Sequence, residues 1–197
     1  MHPRRVILFL ALTLFCCGPA LAQQPGPQFW RKLTCEPLEP RTHLERLENL
    51  YETVMIKAFT RVTTVEVRGV RIDAVAMHDL RVNPPISKGI VISLREEDQR
   101  REDNRAFIDY DEIGLLLNAI DVVSRIDETV TRLPGFEARY KTKGDFEIVV
   151  FRQTQRGTAV LLTTGICDRA RQTMTLDDLA KIKAMIQEAK TRLDEIR

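Results

Sequence analysis

The chain has 197 residues, 44% of them hydrophobic, with 30 Lys+Arg against 28 Asp+Glu and a formal net charge of +2. That length suffices for one sizeable core or two small halves packed together. The near balance of charge counts against a nucleic-acid binder, which normally draws its non-specific affinity from a basic excess.

Arg4 and Arg5 make a short basic start, Val6 to Cys17 is an apolar run of 12 residues, and Gly18–Pro19 breaks it. Ala20–Leu21–Ala22 then supplies the small–x–small pattern read by a signal peptidase. A spanning helix needs ~20 apolar residues, so the run is too short for a membrane anchor. We therefore expect a secretory signal over residues 1–22, cleaved after Ala22, and an exported product, secreted or periplasmic. Cys16 and Cys17 lack the small residues that precede a lipidated cysteine, so no lipid anchor is expected. Arg4 and Arg5 leave with the signal, and the remainder carries a formal net charge of zero. Cys35 and Cys167 are the cysteines that stay. In an oxidising compartment such a pair reads as a disulfide; two free buried thiols are the alternative. By loop-closure entropy the bridge would contribute about 5 kcal/mol, less any strain.

Pro25, Gly26, Pro27, Pro37 and Pro40 make residues 23–41 an extended leader. Thr42 and Glu45 have capping-box spacing, with Leu44, Leu47, Leu50 and Tyr51 behind them, which predicts a helix from about Thr42 to Glu52. A first strand block follows. Ile56 and Ala58 alternate with Lys57 and Phe59, Thr63, Thr64, Val65 and Val67 continue the β-branched signal, and Gly69 offers a turn or bulge. Val70, Ile72, Ala74 and Ala76 mark the next strand, which ends by Asn83–Pro84–Pro85. Ile90, Ile92 and Leu94 mark another, and Ala106 to Ile108 a fourth beyond the charged stretch 95–105. A helix then runs to about Ile126 with Ile113, Leu116, Leu117, Ile120, Val123 and Ile126 on one face.

After Leu133–Pro134–Gly135 the scheme starts again. Phe136, Ala138 and Tyr140 lead to a hairpin-like turn at residues 141–145; Phe146, Ile148 and Val150 alternate with Glu147, Val149 and Phe151. Gln155–Arg156–Gly157 turns the chain, Val160 and Leu162 follow, and a short strand at Ala170 to Met174 precedes a helix to about Ile196. A shift of 66 residues brings Asp111 onto Asp177, Ile113 onto Leu179, Leu116 onto Ile182 and Ile120 onto Ile186. Each helix has one apolar stripe and four strands beside it, so helix on sheet, given twice, is the economical packing.

The residues that could carry chemistry mostly have plainer roles. Asp109, Asp111 and Glu112, echoed by Thr175, Asp177 and Asp178, look like paired carboxylates but sit in helix first turns. Asp109 with Glu112 fits a capping box, and Thr175 with Asp178 a weaker one. The carboxylates of residues 96–103 lack the glycine and ligand spacing of a calcium loop and are interleaved with arginines, so a solvated hairpin tip is expected. His78 and Asp79 are adjacent in a strand and point to opposite faces, a poor catalytic couple. No nucleophile elbow, phosphate loop or zinc spacing is present in the sequence. No metal or cofactor is expected. Lys141, Lys143, Arg152, Arg156, Arg169 and Arg171 gather in the second strand block with Tyr140, Phe146 and Phe151 interleaved. Basic sheets with aromatics hold single-stranded nucleic acid in many modules; the alternative has the aromatics facing the helix and the arginines solvating the other side.

Met174–Thr175–Leu176–Asp177–Asp178–Leu179–Ala180–Lys181–Ile182–Lys183 is a threonine-capped acidic helix start directly after a last strand. Four strands and a helix, given twice over about residues 54–196, resembles the single-stranded-DNA-binding fold of the transcriptional positive-cofactor and whirly families. The resemblance implies two units meeting through their helices and presenting curved sheets outward. It is one of element order and carries no individual functional residue onto this chain. The chain is also similar to small exported bacterial proteins of unknown function.

The expected fold is therefore α+β: two pseudo-symmetric antiparallel ββββα units packed through their helices, preceded by a short helix. Residues 42–197 would form a single globular domain, with repeats at about 53–127 and 135–197. The expected function is that of an exported, soluble, non-catalytic binding or envelope-associated module, its partner a protein or an anionic polymer. Two alternatives stand beside it: a single-stranded nucleic-acid or polyanion binder using the second sheet, and a hydrolase with a site assembled from distant residues.

Overall fold

A computed structural model describes residues 39–62, 66–81, 86–95, 104–126, 135–153, 157–165 and 169–196. Contacts divide the chain into residues 1–34 and 35–197, and every described residue belongs to the second of these units. The expected signal over residues 1–22, the leader as far as residue 38, and Cys35 and Cys167 lie outside the described residues.

The observed order is α1 (His43–Glu48), β1 (Met55–Arg61), β2 (Val70–Asp79), β3 (Ser87–Leu94), β4 (Arg105–Asp109) and α2 (Tyr110–Ser124). Then come β5 (Phe136–Lys141), β6 (Glu147–Gln153), β7 (Gly157–Thr164), β8 (Ala170–Met174) and α3 (Leu176–Asp194). Each set of four strands forms an antiparallel meander, β1-β2-β3-β4 and β5-β6-β7-β8. The chain is thus an α+β fold of two ββββα units. The pairing Ala74↔Ile90↔Ile108 in the first sheet corresponds to Val150↔Val160↔Met174 in the second. β1 ends at Arg61; of the β-branched stretch expected to extend the strand signal, residues 63–65 lie outside the described residues, and Val67 makes an isolated bridge to Val70.

One core serves both units. Ile72, Ile90, Ile92 and Ile108 of the first sheet join Ile148, Val150, Val160 and Leu162 of the second. The stripes Ile113, Leu116, Ile120, Val123 and Leu179, Ile182, Ile186, Ala189, Leu193 enter the same cluster. Burial of each large aliphatic side chain is worth about 1.5–3 kcal/mol, more than any difference in helix propensity along these segments. α2 and α3 pack on each other, and Lys183 reaches Asp121 at 2.6 Å between them. α3 also lies across β2 and β3 of the first unit, where the Lys88 ammonium bonds the Leu193 and Ile196 carbonyls at its C-terminal end. A cation there opposes the negative end of the helix dipole. No helix among the described residues is long and apolar enough to cross a membrane.

The caps of α1 and α3 are those expected, and that of α2 is not. Thr42 and Glu45 form the predicted capping box, but the helix they start is short, His43–Glu48 rather than 42–52. Thr175 accepts from the Asp178 N–H at 3.2 Å, as its spacing predicts. Asp109 occupies the N-cap position of α2 yet makes no cap hydrogen bond there. Its carboxylate instead accepts from the His43 and Leu44 N–H groups at 2.7 and 3.0 Å, closing the first turn of α1. The capping box expected between Asp109 and Glu112 is therefore absent, because a neighbouring helix N-terminus offers the carboxylate two donors instead of one. Seated this way, α1 lays Leu44 and Leu47 over Val75, Met77, Val91 and Phe107 on the outer face of the first sheet.

Asp178 is the buried acid of α3's first turn, bonded by Lys181 at 3.1 Å and Arg68 at 3.3 Å. The Lys181 bond, helped by Thr175 and Arg68 and opposed by burial, holds its carboxyl down at about 2. A carboxyl depressed in the fold contributes stability above its unfolded value of about 4, lost as pH falls through the folded value. Asp178→Asn should lower stability at neutral pH. The gap to the parent should close between about pH 4 and 2 in urea titrations, and a constant gap would refute this account.

Candidate functional site

Strand register sorts the second block into two faces. Phe136, Ala138, Tyr140, Ile148, Val150, Val160 and Leu162 face the helices. The opposite face consists of cross-strand rows: Lys141–Glu147–Thr163–Arg171, then Arg139–Val149–Leu161–Thr173, then Glu137–Phe151–Ala159. Cations stand on the edge strands β5 and β8, and an apolar strip of Val149, Phe151, Ala159 and Leu161 runs down the middle. Val149 is buried and the other three are partly exposed. On the first sheet the corresponding face lies under α1; no described helix covers it on the second.

The expected basic residues do not form one patch. Lys141 and Arg171 share a row, and Arg169 reaches the same face to lie 3.7 Å from Glu147. Arg152 pairs with Phe136 and Thr158, so it lies on the helix-facing side. Lys143 sits in the β5–β6 turn, 3.8 Å from Asp111, with its N–H on Glu112 at 2.9 Å. Arg156 lies outside the described residues. The aromatics divide as well. Phe146 is fully buried, Tyr140 packs against the core, and Phe151 alone of the three faces outward. Arg139, absent from the sequence-based set, is on the outward face and bonds Glu137 at 2.6 Å and Glu147 at 3.2 Å.

This face is electrically close to self-satisfied. Glu147 serves both Arg139 and Arg169, while Asp145 takes Lys141 and, at 3.0 Å, Arg41 from the segment before α1. The apolar centre was hinted at in sequence by Val149 and Phe151, whose alternate-face positions would be polar if that side met only water.

No catalytic constellation stands out elsewhere among the described residues. His78 pairs with Ile56 on one side of its strand, while Asp79 turns to the Thr53 hydroxyl at 2.6 Å on the other. Asp109, Asp111 and Glu112 are dispersed: the first on α1, the second exposed, the third buried. Burial pushes the Glu112 carboxyl up against the pull of the Lys143 N–H, and its Oε2 has no hydrogen-bond partner. Among the described residues no three His, Cys, Asp or Glu side chains gather as a metal site would require. Two grooves, of about 390 and 440 Å³, flank the end of α3; His78 lines neither. No family model, curated protein or solved structure matches the chain.

Proposed function

We propose that the protein is an exported, non-catalytic binding module that receives a protein partner on the outer face of its second sheet. The observation that carries this reading is the strip Val149–Phe151–Ala159–Leu161 between two cationic edges. A polyanion site draws its affinity from basic side chains that release counterions from phosphates. Here Arg139, Lys141 and Arg169 already meet Glu137, Glu147 and Asp145. An apolar centre with a charged rim is the anatomy of a protein interface.

Export rests on the signal over residues 1–22, and the Cys35–Cys167 bridge rests on export. The fold lends the bridge some support. Arg41, six residues after Cys35, is tied to Asp145 in the β5–β6 turn, and Thr164 and Ala170 flank Cys167 in sequence at that same end of the sheet. Thiol titration of the unreduced protein should find neither cysteine reactive.

The function is tested with the processed protein against its co-exported partners and, separately, against a labelled single-stranded oligonucleotide. Partner binding should fall about tenfold or more in Phe151→Ala/Leu161→Ala and change little with salt. Oligonucleotide binding that weakens steeply with salt and survives that double substitution would replace this reading with the polyanion one.

A further inference from the structure

β1 is an edge strand of the first sheet, and no strand pairs with its outer side among the described residues. The Leu80 N–H bonds the Val54 carbonyl and the Val62 N–H the Ile72 carbonyl, each at 3.1 Å. Ladder alternation then turns the backbone groups of Ile56, Ala58 and Thr60 to β2, and those of Met55, Lys57, Phe59 and Arg61 to the open edge. Proteins usually blunt such an edge with charge. Here the two charges are engaged within the chain: Lys57 bonds Glu48 at 2.7 Å, and Arg61 lies 3.6 Å from Asp73. The large apolar side chains are the ones left out, Ile56 at 50% and Phe59 at 70% exposure.

We propose that β1 pairs antiparallel with β1 of a second copy about a twofold axis at Ala58, joining two four-stranded sheets into one of eight. The strand's own sequence selects this register. Phe59 then faces Lys57 of the second copy, Met55 faces Arg61, and every outward backbone group from Met55 to Arg61 finds a partner within the strand. No like charges stand opposite each other, and each cation meets an apolar or aromatic side chain. Ala58 faces itself at a non-hydrogen-bonded position, where the Cα atoms approach to about 4.5 Å and a small side chain fits best. Ile56 of the second copy comes opposite Thr60, at the mouth of the groove lined by Ala58, Thr60, Ala74, Ala76 and Arg192. A twofold contact of this kind closes on itself and stops at the dimer.

Three variants and the parent decide the matter. Sedimentation equilibrium of the parent from micromolar to sub-millimolar concentration should give a reversible monomer–dimer equilibrium. Phe59→Lys sets two like-charged pairs across the axis and should weaken the dimer about tenfold or more, whereas Phe59→Glu sets two opposite pairs and should preserve or tighten it. Ala58→Cys should form a Cys–Cys bridge between copies under mild oxidation, located at that position by peptide mass spectrometry, since the expected Cα separation of about 4.5 Å lies within disulfide range. A parent that is monomeric throughout overturns the proposal, whether the edge is then empty or serves another protein's strand. So does a dimer that tolerates Phe59→Lys. Phe59 is exposed, so its two variants remain informative if Ala58→Cys fails to fold.

Discussion

Phe146→Ala should destabilise the protein by about 3–5 kcal/mol, the cost of a fully buried aromatic replaced by a cavity. Phe146 is fully buried in the cluster shared by both sheets and both helices. Its N–H bonds the Thr142 hydroxyl at 3.0 Å, and its carbonyl accepts the Thr142 N–H at 2.9 Å, so the backbone holds the ring at the start of β6. Neighbouring side chains can close only part of the space. Phe151→Ala, on the outer face, should cost about 1 kcal/mol, nearer to what surface substitutions do. Urea denaturation of the two variants checks the contrast. Equal losses would mean that the two rings are not on opposite faces, and the proposed binding face would fall with them.

Gly144→Ala should cost about 2–3 kcal/mol by overpacking, although it adds a single methyl group. A Cβ at Gly144 would lie 1.9 Å from the Phe107 carbonyl oxygen, 2.9 Å from its carbonyl carbon and 3.1 Å from its nitrogen. These are backbone atoms of β4 and cannot swing aside as a side chain could. The β5–β6 turn of the second unit must therefore retreat from the first. Gly114 provides the control: a Cβ there meets nothing within 4 Å, and the residue lies inside α2. Gly114→Ala should stabilise by about 1 kcal/mol, the ordinary gain from replacing a helical glycine. The pair of melting curves should move in opposite directions; a shared direction would refute the close approach.

Much of the architecture was legible in the sequence because burial repeats with the helical and strand periods. Ile113, Leu116, Ile120 and Val123 match Leu179, Ile182, Ile186 and Ala189 in position and in burial. Even the acids Glu112 and Asp178 correspond, both buried in a first turn. What sequence could not supply was partnership across the fold. Asp109 has the spacing of a cap for its own helix, and only the arrival of α1 beside it gives its carboxylate a better pair of donors. The basic residues of the second block were similarly grouped by proximity in sequence. Strand register sends Arg152 to the face opposite Lys141 and Arg171, and Glu147 and Asp145 draw cations of the outward face into ion pairs. The outward apolar strip was the harder feature to find, because Val149 and Phe151 alternate with core residues that are equally apolar.

α1 makes the two units unequal. A perfect duplication would present two equivalent outer faces, and any partner would bind with a stoichiometry of two per chain. One of those faces is taken by Leu44 and Leu47, held in place by the Asp109 carboxylate and by Glu48 against Lys57. On the proposed reading the chain would thereby be monovalent. Pairing through β1 would restore a valency of two on a single rigid sheet, and a multimeric partner would then be gripped far more tightly than by either face alone.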